Sequence, residues 1–223
     1  MFNFLVVWDK GVTEVEEKMI QAAISECMDA FPNCFFHVYG KKEIRSGVSM
    51  NMAIANATKR DEQVDTYSIV RYFEQLRTSF MPAARFHTIA ITSRDLYPEG
   101  AGLNFCFGMQ SAHVTVQSLA RYRHLPYDWL KDCIAQVIIH EMGHMFGAAF
   151  DRHGKPGTND DLYNHHCAED GCVMQQVISV DELVGRVSRT KHGKDRFCVH
   201  CRMDMAFKLG ASIMRIPSRS KVY

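Results

Sequence analysis

The sequence predicts an α/β (α+β) domain built around a small, mixed, twisted sheet and one long apolar helix. Short apolar runs that are typical of strands alternate along the chain with segments whose apolar residues recur at helical spacing. This alternation favours a layered arrangement of helices on a sheet. A chain of 223 residues is also long enough to bury a full core within a single domain.

The N-terminal elements are predicted to be a strand, a helix and a second strand. Residues Phe2–Trp8 form an apolar run that predicts a buried strand. Thr13 and Glu16 have the spacing of a capping box, in which the hydroxyl and the carboxylate satisfy exposed amides of a new helix. Apolar residues then recur at helical spacing as far as Phe31, and residues 34–39 predict the second strand.

The middle of the chain has a weaker pattern. Residues 41–66 are polar and irregular, which predicts a long loop. Residues 67–80 carry one apolar face and predict a helix that Pro82 closes. Residues 86–92 predict a further strand. The loop that we expect after this strand contains Asp95, Tyr97, Pro98 and Gly100.

Two short strands and a long helix follow. Residues 103–107 and 113–116 predict the strands. Asp128 follows Pro126 and is a suitable N-cap residue, so we expect the helix to begin near it. The helix is strongly apolar, which predicts that it is buried, and it continues into the sequence HEMGHMFG.

Charge and hydropathy argue against several classes of partner. The chain has 26 basic and 25 acidic side chains, a net charge of +1, and no basic stripe. We therefore expect no binding to nucleic acid or to a membrane surface. No run reaches the ~20 apolar residues that a membrane span requires, and the N-terminus lacks the basic region and cleavage site of a signal peptide. We expect a cytoplasmic protein, with a monomer favoured.

His140, Glu141 and His144 form a His-Glu-x-x-His motif on the apolar helix. Residues four apart lie on one helical face, so both imidazoles can bind a single Zn²⁺. Glu141 lies beside them and is placed to accept a proton from a zinc-bound water. The motif therefore predicts a catalytic zinc site for hydrolysis, with Glu141 as the catalytic residue.

The helix alone does not identify the third zinc ligand. In metzincin-type peptidases the signature continues as HExxHxxGxxH, and Gly147 matches its glycine. Phe150 occupies the position of the third histidine and cannot bind a metal. The candidates downstream are His153, His165 and His166. They lie in or after a stretch rich in Gly, Pro, Asn and Asp, which predicts an inserted surface loop.

The eight cysteines fall into two groups. Four stand singly in apolar segments, and we interpret them as small buried hydrophobic residues: Cys27, Cys34, Cys106 and Cys133. The other four lie in polar, turn-rich sequence near the C-terminus. In a chain without a secretion signal, such thiols indicate metal binding before disulfides. They are Cys167, Cys172, Cys198 and Cys201.

The combined pattern resembles that of the archaemetzincins, a metzincin family of small zinc peptidases. Their extended signature joins HExxHxxGxxH directly to Cys-x4-Cys-x-Met and is followed by Cys-x-x-Cys. Residues 167–174 match the middle part and residues 198–201 match the last part. Residues 92–108 also look like the family's segment before the active-site helix. The resemblance covers roughly residues 86–205.

The resemblance implies a role for each of these residues. The family's third histidine immediately precedes the first cysteine, so His166 corresponds to the third ligand of the catalytic zinc. Met174 looks like the methionine of the turn beneath that metal, where it serves as a packing base. A second, structural zinc would be held by the four cysteines Cys167, Cys172, Cys198 and Cys201.

Two departures from the family pattern stand out. An insertion of about sixteen residues separates Gly147 from His166, judged against the metzincin signature. The gap between Met174 and Cys198 is also longer than the family pattern prescribes. The spacing of Ser179 and Glu182 matches a capping box, which predicts an additional helix in this gap.

Together these features predict a metzincin-like fold in one compact domain with two parts. The N-terminal sheet-and-helix subdomain covers residues 1–147 and ends in the active-site helix. The smaller, zinc-stapled C-terminal subdomain covers residues 148–223, with an insertion loop at 148–165. His113 lies on a predicted edge strand, and we interpret it as a partly exposed strand residue or, alternatively, as one that faces a bound peptide.

The predicted function is zinc-dependent hydrolysis of peptide bonds in a peptide or protein substrate. A zinc-bound water activated by Glu141 would carry it out, with two Zn²⁺ per chain, one catalytic and one structural. The alternative is a non-catalytic, zinc-stabilised interaction module with a degenerate metzincin site, and Phe150 is the feature that favours it.

Overall fold

The structure, a computed structural model, describes residues 2–31, 33–44, 48–80, 86–149, 166–189 and 196–209. The strands in these ranges are β1 (Phe2–Trp8), β2 (Cys34–Gly40), β3 (Lys59–Arg60), β4 (Gln63–Asp65), β5 (Phe86–Thr92), β6 (Leu96–Tyr97), β7 (Gly108–Gln110) and β8 (Val114–Ser118). The helices are α1 (Glu14–Ala30), α2 (Met50–Asn56), α3 (Thr66–Phe80), α4 (Tyr127–Met145), α5 (Val180–Val187) and α6 (Val199–Leu209). The predicted mixed α/β class is confirmed.

Five strands form the main sheet in the order β2-β1-β5-β8-β7. The first four run parallel, whereas β7 pairs antiparallel with β8. The sheet is therefore mixed, as the sequence predicts, and the short strand β7 forms one of its edges. The strands β3, β4 and β6 form a separate, smaller sheet.

Helices cover both faces of the main sheet. Successive residues of a buried strand point to opposite faces, so they pack against different helices. Phe4 and Val6 of β1 are fully buried in a cluster that includes residues of α1 and α4. Val7 lies in a second cluster with Met50 of α2 and Ile69 of α3. Full burial of such a side chain contributes about 1.5–3 kcal/mol. This packing fixes α4 in the protein core.

Both predicted capping boxes begin helices at the expected places. Thr13 Oγ1 accepts a hydrogen bond from Glu16 N, and Glu16 Oε2 accepts one of 2.8 Å from Thr13 N at the start of α1. Ser179 Oγ accepts from Glu182 N at the start of α5. In α5 the reciprocal bond to Glu182 Oε2 comes from Ile178 N at 2.9 Å.

The predicted long loop at 41–66 is wrong in its second half, which contains α2, β3 and β4. Ser49 caps α2 by accepting a bond from Met52 N, and Met50 and Ala53 are its buried residues. Seven helical residues are too few for the periodicity to stand out. The strands β3 and β4 pair only through Lys59–Val64 and Arg60–Gln63, so they show no alternation either.

Three further predictions need correction. Residues 103–107 are not a strand: Leu103 is 56% exposed, and Cys106 makes only an isolated bridge with Leu96. The strand predicted at 113–116 begins at Val114 and is internal, since β7 covers its outer side. Helix α4 begins at Tyr127 with Pro126 as its N-cap, and Asp128 lies in its first turn, where a negative charge favours the helix dipole.

Several sequence features lie outside the described residues: Pro82, Phe150, His153, His165 and nearly all of the insertion loop at 148–165. The proposed division of the chain at residue 147 stays a prediction. Among the helices in the described ranges, none is both long enough and apolar enough to cross a membrane.

Candidate active site

Helix α4 presents His140 and His144 on one face. The helix is held in place because Ile134, Ile138 and Ile139 on its other faces are buried in the core. The Nε2 atoms of the two histidines lie 3.0 Å apart. Two nitrogens bound to one tetrahedral Zn²⁺ at ~2.05 Å are separated by ~3.3 Å. The helix therefore places two donors at nearly the separation that zinc requires.

His166 completes a cluster of three imidazoles. Its ring centroid lies 5.2 Å from that of His140 and 5.0 Å from that of His144. The possible ligand atoms of all three lie within 4.8 Å of one another. Three imidazoles with room for a water or substrate ligand form a known donor set for catalytic zinc, so the residues present fit this metal.

The ring of His140 is oriented by the backbone of the cysteine-containing segment. Its Nδ1 donates a 2.8 Å hydrogen bond to the carbonyl oxygen of Val173. A carbonyl can only accept, so Nδ1 carries the proton and Nε2 keeps its lone pair. Burial lowers the pKa of His140, while the bond to Val173 acts in the opposite direction. The neutral ring with a free Nε2 is the form that binds metals.

Glu141 is buried beside the histidines, with 8% of its surface exposed. Burial raises the pKa of its carboxyl group to about 8, because charge is disfavoured away from water. The edge strand β7 passes close to it: a Cβ placed at Gly108 would lie 2.8 Å from Glu141 Oε1. The absence of a side chain at Gly108 therefore leaves space for the carboxylate. The role of Gly108 was not predicted from the sequence, because its strand β7 was not predicted.

A cavity of about 540 Å³ opens beside this cluster and is lined by His140, Glu141 and His166. Much of the remaining lining is apolar: Phe105, Phe107, Met109, Val137, Val177, Ile178 and Leu183. Two lining residues, Leu103 and Ile178, are more than half exposed. The cavity therefore has the size and the mixed polar and apolar lining of a binding site.

The four C-terminal cysteines also converge. The Sγ atoms of Cys167 and Cys198 lie 3.6 Å apart, and those of Cys172 and Cys201 lie 3.8 Å apart. All four sulfurs lie within 4.8 Å of one another, and none is in a disulfide. Four sulfurs around Zn²⁺ at ~2.3 Å would be ~3.8 Å apart. The cluster therefore has the geometry of a closed tetrahedral zinc site.

Backbone amides surround these sulfurs. Cys198 N donates to Cys172 Sγ at 3.4 Å, and Glu169 N donates to Cys167 Sγ at 3.4 Å. Hydrogen bonds of this kind stabilise thiolates, which are the metal-binding form. Contacts among the thiols, led by that with Cys167, lower the pKa of Cys198 and raise the pKa of Cys201. Gly171, at φ +73°, forms the left-handed turn between the first two cysteines.

Met174 connects this segment to α4. Its side chain is fully buried, and a Cβ at Gly143 would overlap its Sδ atom. Gly143 precedes His144, so Met174 packs directly against the histidine-bearing turn of the helix. The backbone carbonyl of Met174 accepts a 2.9 Å bond from Cys167 N. The structure thus places Met174 where a packing base is predicted. Gly147, with φ +86°, ends the helix in the left-handed conformation.

The sequence analysis also missed two buried polar residues, Gln136 and Arg196. Gln136 lies one helical turn before His140 in an otherwise apolar stretch, and this polar residue in a buried position was the available signal. Arg196 lies in a polar, irregular region, where burial of a charged residue cannot be read from the sequence.

Comparisons with known proteins agree with the geometry at the level of the fold. No family model matches the chain, and no curated protein matches it significantly in sequence. Among solved structures, archaemetzincin from Methanopyrus kandleri matches with a TM-score of 0.65 and 18% identity, over 93% of this chain and 95% of that one. A zinc-dependent peptidase from Methanocorpusculum labreanum has a TM-score of 0.61 and 18% identity, over 91% and 99%.

Archaemetzincin from Archaeoglobus fulgidus, solved with malonate, matches with a TM-score of 0.56 and 18% identity, over 92% of this chain and 99% of that one. All three likenesses span more than nine-tenths of both chains, so they concern the whole fold and not one motif. The chain has the archaemetzincin fold.

Proposed function

We propose that the chain is a zinc-dependent metallopeptidase of the archaemetzincin family. The observation that carries the proposal is the convergence of His140, His144 and His166 beside Glu141 at an open cavity. The three imidazoles would hold the catalytic metal. When bound, zinc supplies a lowered water pKa of ~7 and polarises the substrate carbonyl.

Glu141 is the residue that moves protons in this proposal. Its carboxylate would first accept a proton as general base and then deliver it to the leaving amine as general acid. Burial keeps the carboxyl partly protonated near neutral pH, whereas a cation at the imidazoles favours its ionised form. The close approach of Gly108 limits where the carboxylate can lie.

A peptide substrate would bind along β7. This strand is an edge of the main sheet, and its residues Gly108 and Met109 line the cavity that contains Glu141. An extended peptide can add to such an edge through main-chain hydrogen bonds, with side chains in adjacent pockets. The apolar lining of the cavity favours an apolar substrate side chain next to the cleaved bond.

Cys167, Cys172, Cys198 and Cys201 would hold a structural zinc. Sulfur separations of 3.6 and 3.8 Å support this assignment, since they match a tetrahedral site without further adjustment. Such a site contributes directly to folding free energy and excludes water from the metal. It would also fix the backbone of His166, which precedes the first cysteine.

Replacement of Glu141 tests the function. Glu141→Ala should abolish hydrolysis of a peptide library while leaving two zinc ions per chain. Glu141→Gln, which keeps the shape of the side chain, should be equally inactive. Cleavage by Glu141→Ala at the parent rate would contradict the proposed mechanism. A parent protein with one zinc and no hydrolysis would instead support the non-catalytic interaction module.

A further inference from the structure

Arg196 is the largest fully buried side chain among the described residues, although it is charged. Its Nε and Nη2 atoms donate to Glu26 Oε1 on α1 at 2.9 and 2.6 Å. Its Nη1 donates to Gln136 Oε1 on α4 at 3.0 Å. A buried ion pair such as Arg196–Glu26 can often be replaced as a whole by apolar side chains without loss of stability, although removal of one partner alone is destabilising. Its presence therefore calls for a role besides stability.

The partners of Arg196 lead to the candidate metal centre in two steps. Gln136 uses its oxygen to accept from Arg196 and its nitrogen to donate to the carbonyl of Val173 at 3.4 Å. The same carbonyl accepts the 2.8 Å bond from His140 Nδ1. Gln136 and His140 are four residues apart on α4, so both side chains project from one face of the helix and bond to the same carbonyl.

Arg196 also holds the other side of Val173. The amide of Val173 donates a 2.9 Å bond to the carbonyl oxygen of Arg196. The position of Val173 is therefore fixed through its N–H by the Arg196 backbone and through its C=O by Gln136. Since Val173 lies between Cys172 and Met174, this arrangement also ties His140 to the cysteine cluster.

We propose that Arg196 and Gln136 are positioning residues for His140, which hold the Val173 carbonyl where it fixes the tautomer and ring plane of this ligand. The inference rests on the proposed function, because it assigns His140 to a metal. Loss of an outer partner of a metal-bound histidine typically weakens metal binding by about 10–100-fold, and Arg196 and Gln136 act on such a partner, the Val173 carbonyl.

Two variants test the proposal. Arg196→Met removes the guanidinium but fills much of its volume. Gln136→Glu keeps an acceptor for Arg196 while its ionised side chain offers no donor to the Val173 carbonyl. Arg123→Met is the matched control, because Arg123 pairs with the buried Glu16 on α1 and none of its bonds reaches Val173.

Zn²⁺ dissociation from the histidine site is measured by competition with a chromophoric chelator. Elemental analysis measures the zinc that stays bound at the cysteine site. We expect about 10–100-fold weaker binding at the histidine site in both test variants, an unchanged cysteine-site zinc, and parent affinity in the control. Parent affinity in both test variants would overturn the positioning role alone. If Arg196→Met does not fold, Gln136→Glu decides the question. A parent protein that binds only one zinc would overturn the proposed function as well.

Discussion

His166 and Cys167 are adjacent in the chain but belong to different clusters. The ring of His166 lies 5.2 Å from that of His140, whereas Cys167 Sγ lies 3.6 Å from Cys198 Sγ. The cysteine cluster therefore fixes the backbone that carries the third imidazole. In the proposed function, the residues that follow His166 position its imidazole for the metal, so the insertion before it is compatible with metal binding.

This relationship predicts that damage to the cysteine cluster also weakens the histidine site. Cys198→Ser replaces one sulfur of the tetrahedral set and should remove the structural zinc, with a large loss of stability. The His166 backbone would then lose its anchor, so the zinc content should fall below one per chain. Elemental analysis and thermal unfolding measure both effects.

Cys106→Ser is the control for this experiment. Cys106 is a single, partly buried thiol next to Thr66 and lies outside both clusters. Its replacement should leave the zinc content at the parent value. A Cys198→Ser protein that kept a full histidine-site zinc would show that His166 is positioned independently of the cysteines.

Gly108→Ala should separate activity from stability. The added Cβ would lie 2.8 Å from Oε1, 3.0 Å from Cγ and 3.1 Å from Cδ of Glu141, so the outer part of this unbranched side chain must rotate away from β7. The displaced base should lower kcat about tenfold or more, since proton transfer depends on hydrogen-bond distance. Steady-state kinetics and urea unfolding of the same preparation measure the two quantities.

The matched variant is Gly185→Ala in α5, where an added Cβ meets nothing within 4 Å. It should leave kcat unchanged and raise stability by up to ~1 kcal/mol through helix propensity. Equal kcat values for Gly108→Ala and the parent would mean that β7 does not constrain Glu141.

The features of this site that could be predicted are those set by residues close together in the sequence. The spacing of His140 and His144 is local, because residues four apart in an α-helix, which has 3.6 residues per turn, always lie on the same face. The capping boxes at Thr13 and Ser179 are local for the same reason. His166 and the cysteines are distant from the helix, and only the resemblance to a known signature connected them with it.

Contacts that depend on the assembled fold could not be predicted. The bond between Glu26 and Arg196 joins residues 170 positions apart, and no periodicity records it. Strand β7 has three residues, so the edge next to Glu141 was assigned to the wrong segment. Helix α2 was missed because its stability comes from packing on the sheet and not from a long amphipathic pattern.

His87 should make stability depend on pH. Burial, followed by the nearby charges of His113 and Arg77, lowers its pKa from an ordinary value of 6.5 to about 4, while Glu74 acts in the opposite direction. The unfolded chain therefore binds a proton below pH ~6.5 that the folded chain takes up only near pH ~4. This contribution is fully present above pH ~6.5 and is lost as the pH falls to ~4, by up to about 3 kcal/mol.

Urea unfolding of the parent and of His87→Phe between pH 4 and 7.5 tests this sign. Phenylalanine retains the ring that packs against Phe2 and Phe4 but cannot be protonated. The stability of the variant should fall less steeply with decreasing pH. Parallel curves for the parent and His87→Phe would show that His87 is not the responsible group.

The zinc content of the parent and of His166→Ala, determined by elemental analysis after exhaustive dialysis, tests the central claim most directly. Two zinc ions per parent chain and one per variant chain are predicted, the remaining ion being held by the four cysteines. Two ions in the variant would mean that His166 is not the third ligand. A single ion in the parent would contradict the pairing of a catalytic with a structural zinc in this fold.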